Sequence, residues 1–196
     1  MGSIKSALEI ALERTESVKT DKASIGLYES KQQGKRLANA YLADPSKSLE
    51  AELKKHPKDQ QESLKQGIFD VLVPQITLPA IPEDMARIEA VGKGLQLLIS
   101  DGQFAAMYKQ LIQVLTRYLS EVAHYDQAIR QQYAPKLRQK EEELSRRMGR
   151  EVRLDPFQDP EFLTFYNQNL SALKANYQTI VDQVREEAMN IYNATS

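Results

Sequence analysis

Between Gln103 and Asn193 the apolar residues keep a spacing that only long helices satisfy. Tyr108, Leu111, Leu115, Tyr118, Val122, Tyr125 and Ile129 step alternately by three and four residues. That 3.5-residue period is the seam of a coiled coil, and the two-residue period of a strand cannot produce it. After Ile129 the seam passes to Tyr133, Leu137, Leu144 and Met148. Two successive four-residue steps make a stutter, which relaxes left-handed supercoiling. Pro135 falls at that point. It lacks an N–H and its ring crowds the preceding turn, so the sequence predicts a kink, or a break with Pro135 opening a new helix.

The return arm opens at Asp159-Pro160-Glu161. Aspartate caps a helix, proline suits the first helical position, and a carboxylate in the first turn complements the dipole. Phe162, Tyr166, Asn169, Leu173, Tyr177, Ile180, Val184, Ala188 and Ile191 follow at helical spacing. Neither glycine nor proline interrupts 104–134 or 161–194. The two arms therefore read as a long antiparallel, coiled-coil-like hairpin with its turn near 150–159. At 1.5 Å per residue the second arm alone reaches about 50 Å, which predicts an elongated molecule. A symmetric turn centred near Leu154 would set Met148 against Phe162, Leu144 against Phe165, Tyr133 against Tyr177, Ile129 against Ile180 and Tyr125 against Val184. Tyr108, Leu111 and Leu115 would outrun the second arm and seek cover from the N-terminal helices or from another chain.

Upstream, Ser3 suits the cap of a helix whose stripe is Ile4, Ala7, Leu8, Ala11, Leu12, Thr15 and Val18. Its polar face holds Glu9, Glu13 and Glu16 against Lys5 and Arg14. That is the wrong sign for a membrane-surface helix and favours docking on protein. Residues 21–43 read as a second helix or a continuation, with Ile25, Tyr28, Leu37 and Tyr41 as core candidates. Gly26 and Gly34 each cost a helix interior roughly 1 kcal/mol against alanine, although Gly34 can admit a close neighbour. A short helix at 48–56 and another from Asp59 or Gln60 follow, the latter turning Leu64, Ile68, Phe69, Leu72 and Val73 inward. Pro74, Pro79 and Pro82 then impose an extended connector, packed by Ile76, Leu78 and Ile81. A helix over 83–100 with Met85, Ile88, Val91, Leu95, Leu98 and Ile99 precedes the hairpin. The expected organisation is an all-α chain: N-terminal amphipathic helices over 1–73, a connector over 74–82, and a helix plus hairpin over 83–196.

The chain has 196 residues, a formal net charge of −1, no cysteine and no tryptophan. Mixed charge along the whole length gives no footprint for a polyanion. Without cysteine there is no disulfide, thiol nucleophile or thiolate metal site, which fits a reducing compartment. The first twenty residues lack the apolar core of a secretory signal, and no run approaches the roughly 18 apolar residues of a membrane span. The expected location is the cytoplasm.

Few residues suggest chemistry. Glu121-Val122-Ala123-His124 supplies the Glu-x-x-His unit that di-iron bundles use twice. The second unit is missing, because the other histidine, His56, precedes a proline. Gly92-Lys93-Gly94 lacks the rest of a phosphate-binding loop, and close helix packing explains its glycines better. Arg146, Arg147, Arg150 and Arg153 gather near the hairpin turn, where a phosphate-bearing partner would find a basic patch. Glu142, Glu143, Asp155, Asp159 and Glu161 offset that charge. Asp155, Asp159 and Glu161 do not form the frame of a calcium loop. The expectation is a non-catalytic helical interaction or scaffold protein, with no cofactor, that meets a protein partner or a copy of itself. Its contact candidates are Tyr108, Leu111, Leu115 and the four arginines. The alternatives are a metal protein using Glu121 and His124, or a nucleic-acid or membrane-surface adaptor using the arginines or the first helix.

Overall fold

The computed structural model describes residues 7–195, with side chains from Ser24 onward. The stripe from Ile4 to Val18 and the Ser3 cap lie outside the described side chains. The regular structure among the described residues is helical throughout: α1 (Ala7–Ala43), α2 (Leu49–Lys54), α3 (Lys58–Leu72), α4 (Asp84–Leu98), α5 (Gly102–Met148) and α6 (Pro160–Thr195). Short 3-10 turns occupy Val73–Gln75 and Pro156–Gln158. The all-α expectation holds. None of the described helices is long and apolar enough to cross a membrane. The chain divides into two compact units: Met1–Ile76 with Ala90–Gly102 and Ala188–Ser196, and Thr77–Glu89 with Gln103–Glu187.

In the first unit, α1 runs unbroken through Gly26 and Gly34. The second of these has a packing reason. A Cβ on Gly34 would overlap the Leu64 carbonyl, and one on Gly67 would overlap the Lys31 carbonyl. The two helices thus cross backbone on backbone, which only glycine allows. Three residues back on α1 correspond to three forward on α3, so the pair is antiparallel. Lys31 and Asp70 bridge the crossing at 2.9 Å. Gly94 makes a similar approach, where a Cβ would meet side chains of Leu72, Tyr41 and Leu49. The Tyr41 hydroxyl donates to the Ala90 carbonyl at 2.8 Å. Phe69 stacks on Tyr192 with ring centroids 3.9 Å apart. Ser48 caps α2 through its side chain, which accepts from the Ala51 N–H.

Two inward assignments on α1 fail. Ile25 is 57 % exposed and Tyr28 64 %. Continuing the antiparallel register brings Leu72, the last residue of α3, level with Gly26, so Ile25 lies past its end, while Tyr28, level with Asp70, is turned about 120° away from Gly34. A Cβ on Gly26 would accordingly meet no atom within 4 Å. The connector also departs from a uniformly extended path. Val73-Pro74-Gln75 closes a 3-10 turn, Ile76 is fully buried and Ile81 is exposed. Asp84 then gathers the backbone N–H groups of Ala80 and Ile81 at 2.8 and 3.2 Å.

In the second unit, Tyr133 meets Phe162 with centroids 5.2 Å apart, and Tyr118 meets Tyr177 at 4.9 Å. Going from 133 back to 118 on α5 advances α6 from 162 to 177, so the helices pair antiparallel. The register differs from the symmetric-turn expectation, which opposed Tyr133 to Tyr177. The cause lies in the turn. α5 passes through Pro135 without a break and continues to Met148. Gly149, at φ +65°, then ends it in the left-handed conformation that glycine tolerates best. The returning chain lies back along the last turns of α5: Val152 N–H donates to Ser145 Oγ and Leu154 N–H to Glu141 Oε1, both at 2.9 Å. α6 therefore starts beside Lys140 rather than Met148, and Met148 is exposed.

The inward positions also shift. On α6, Phe162, Leu170, Val181, Val184, Ala188 and Tyr192 are buried, whereas Asn169 is exposed. Together with half-buried Tyr166, Leu173 and Tyr177 these step by four, four and three, an eleven-residue repeat. α5 adopts the same repeat beyond Tyr118, which turns Asp126 partly inward and leaves Tyr125 44 % exposed.

Candidate functional site

The polar groups that the helices bring together form three bridges between α5 and α6. In each, one carboxylate serves a tyrosine and a cation. The Arg117 Nε donates to Glu121 Oε1 at 2.8 Å, and the Tyr177 hydroxyl also donates to Glu121. The Arg130 Nε donates to Asp126 Oδ2 at 2.8 Å, with the Tyr166 hydroxyl on the same carboxylate. At the turn, Asp159 Oδ2 accepts from the Tyr133 hydroxyl at 3.0 Å and from Lys140 Nζ at 2.7 Å. Its Oδ1 accepts from the Glu161 N–H at 3.0 Å, which makes Asp159 the cap of α6. Lys140 reaches on to Glu161 at 2.6 Å, and Lys136 joins Glu161 at 3.1 Å.

These contacts set the local electrostatics. Lys140, then the Tyr133 hydroxyl and the Glu161 N–H, hold the Asp159 carboxyl below its usual range, against the opposing effect of burial. The two carboxylates in turn raise Lys140. Burial, with Asp159 assisting, raises the Tyr133 phenol. The Tyr177 hydroxyl and Arg117 lower Glu121. A pocket of about 340 Å³ lies beside this network, lined by Lys140, Glu143, Leu144, Arg147, Leu154 and Asp159 among others. General acid–base work needs a group that titrates near the working pH. Asp159 and Lys140 are both driven away from neutrality, so the pair is suited to holding the turn rather than to moving protons.

The sequence-derived candidates separate on this framework. Glu121 is occupied by Arg117 and Tyr177, and His124 is exposed one turn on. Groups of three or more His, Asp or Glu able to hold a metal are absent among the described residues. Tyr108, Leu111 and Leu115 are buried, and the Tyr108 hydroxyl donates to the Ile88 carbonyl at 2.8 Å. They complete this chain's own core and present no open face. The four arginines are exposed but do not converge. Arg147 lines the pocket of Lys140, while Arg146 and Arg153 line a separate groove with Arg138, Glu141, Glu142 and Glu151. Arg153 pairs with Glu151 at 3.3 Å.

The surface that sequence reasoning missed is on α1. A groove running from Tyr28 to Ala40 is lined by α1 alone, with Glu29 and Arg36 along it. Ile25 continues it by one turn, since i and i+3 share a helix face. The signal that could have found it is the polar set Glu29, Gln32 and Arg36, which helical spacing turns away from Gly34 and so away from α3.

Comparison with known proteins adds a family and no activity. No curated protein and no solved structure matches the chain. One family model covers residues 50–190, from α2 into α6, and leaves α1 outside the matched region. The chain belongs to that family, described as a family of unknown function (DUF6657).

Proposed function

We propose that this protein is a non-catalytic helical interaction protein that engages a protein partner through the open face of α1. The observation that carries the reading is the exposure of Ile25 and Tyr28 on α1. Aromatic and branched apolar side chains gain most when a partner removes them from water, at roughly 25 cal/mol per Å². A helix with one side clamped in the fold and the other open is the geometry of helix-in-groove or helix-on-helix recognition. The depressed Asp159 and raised Lys140 support the non-catalytic part, because that pair holds the turn and neither member is moved towards neutral pH.

The test is site-specific photocrosslinking in the native cell. A photoreactive residue at position 28 should give a discrete adduct, while one at the exposed Lys174 of α6 should give none. No adduct from position 28 removes this reading. The mass and identity of the adduct name the partner.

A further inference from the structure

The doubling-back of the chain after Met148 leaves a hollow beside the end of α5. α6 begins next to Lys140, so the last turns of the α5 seam have no helix opposite them. Lys140, Glu143, Leu144 and Arg147 stand there at i, i+3, i+4 and i+7, one stripe of the helix. Leu154, Asp155 and Gln158 of the turn form the other wall of a cavity of about 340 Å³. Leu144 and Leu154 are both half-buried and supply its apolar part. The volume is at the small end of ligand pockets, about 300–1,000 Å³, and suits a molecule the size of an amino acid.

Charges of both signs surround the cavity, and some are already committed. Lys140 is held by Asp159 at 2.7 Å and by Glu161 at 2.6 Å. Asp155 Oδ1 accepts from the Phe157 N–H at 3.0 Å, which leaves its Oδ2 open. Glu143 and Arg147 differ. A glutamate four residues before a basic residue is a favoured ion pair on a helix. Yet these two side chains do not pair, and among the described residues neither has another ion-pair or hydrogen-bond partner. They stand one turn apart, about 6 Å along the axis, on the same wall.

These features select a ligand. A phosphate would meet one uncommitted guanidinium and two carboxylates, Glu143 and Asp155. A hydrocarbon would take charged groups out of water without giving them partners. A lone cation would leave Arg147 unmatched. A molecule with a carboxylate, an ammonium and an apolar body satisfies every part. Its carboxylate takes the Arg147 fork, its ammonium lies against Glu143 and Asp155, and its apolar body covers Leu144 and Leu154.

We propose that this cavity binds a free α-amino acid with an apolar side chain. It lies within the second unit and stands or falls independently of the α1 surface.

Titration of the full chain with L-leucine and L-phenylalanine, followed by calorimetry and by amide NMR shifts, tests it. Both should bind saturably, with shifts clustered at 140–147 and 154–159. Glycine lacks the apolar body, leucinamide the carboxylate and N-acetyl-leucine the ammonium, and each should bind about tenfold more weakly or worse. Arg147→Gln and Glu143→Gln, both at exposed positions and both checked for native helicity by circular dichroism, should separate the two charges. Each should weaken leucine binding about tenfold. Arg147→Gln should no longer distinguish leucine from leucinamide, and Glu143→Gln should no longer distinguish leucine from N-acetyl-leucine. The absence of saturable binding, shifts clustered elsewhere, leucinamide bound as tightly as leucine by the wild type, or variants that bind like the wild type would each overturn the proposal. Inorganic phosphate binding more tightly than leucine would replace it with a simple anion site.

Discussion

The Tyr133 hydroxyl donates to Asp159 Oδ2 across 3.0 Å, joining the middle of one long helix to the cap of the other. The same oxygen takes Lys140 Nζ, so a single atom anchors the phenol and the ammonium that fix where α6 begins. Tyr133→Phe removes one hydrogen bond to a charged acceptor and should cost about 1–2 kcal/mol. Asp159→Ala loses the cap as well and should cost more, about 2–3 kcal/mol. Urea titrations followed by circular dichroism measure both. Equal costs would mean that the cap contributes nothing.

Acid should loosen this helix pair. Asp159, Glu121 and Glu161 all titrate below their ordinary range in the folded chain. A depressed folded value gives stabilisation that is complete above the unfolded carboxylate range, near about pH 4, and is lost as the pH falls through the folded values. The urea midpoint should be nearly flat from about pH 7 to 5 and decline below about pH 4. In Asp159→Asn the decline should be shallower. A midpoint unchanged from about pH 5 to 2 would show that these carboxylates are not coupled to folding.

Three glycines of the first unit should respond differently to alanine. At Gly34 and Gly67 a Cβ collides with a backbone carbonyl of the neighbouring helix, which cannot swing aside. Overpacking of about 1–3 kcal/mol should outweigh the helix-propensity gain of about 1 kcal/mol. Gly26→Ala meets open space and should stabilise by about 0.5–1 kcal/mol. Thermal melts of the three variants give the order directly, and a stabilising Gly34→Ala would contradict the close crossing.

Thiol crosslinking reads the register without background, because the chain has no cysteine. Cysteines replacing Tyr118 and Tyr177 should be joined by a short bifunctional reagent within one molecule. Replacing Ile129 and Ile180 should not allow it. In the observed pairing Ile129 lies level with residue 166, so position 180 is about 21 Å further along α6. Efficient joining of 129 to 180 in the monomer would restore the symmetric turn.

Much of this was legible in residue spacing. Helical periodicity, the short helix opening at Ser48 and the Asp159-Pro160 start of α6 are local signals, and local signals survive into the fold. What could not be read was where the helices lie along one another. Register depends on whether the chain after Met148 turns at once or doubles back, and Ser145 and Glu141 decide that by hydrogen bonds to residues seven and thirteen further on. The inward face of α5 was misread for a related reason. Tyr125 and Asp126 both fit a helical seam, and the apolar residue was the natural choice. The partner helix offers Tyr166, whose hydroxyl favours the carboxylate. On α1, Ile25 and Tyr28 were placed inward on apolar character alone, which does not report whether anything covers them.

The crossing at Gly34 also acts as a stop on a sliding rod. Only at that address can α1 close onto α3, so the position of one glycine sets how much helix extends past the clamp. Residues gained or lost before Gly26 would lengthen or shorten the overhang without touching the crossing. Moving the glycine by four residues would instead translate the rod by about 6 Å and rotate its outer face by about 40°. The reach of α1 and the packing of its base can therefore vary separately, with a single hydrogen side chain marking the border between them.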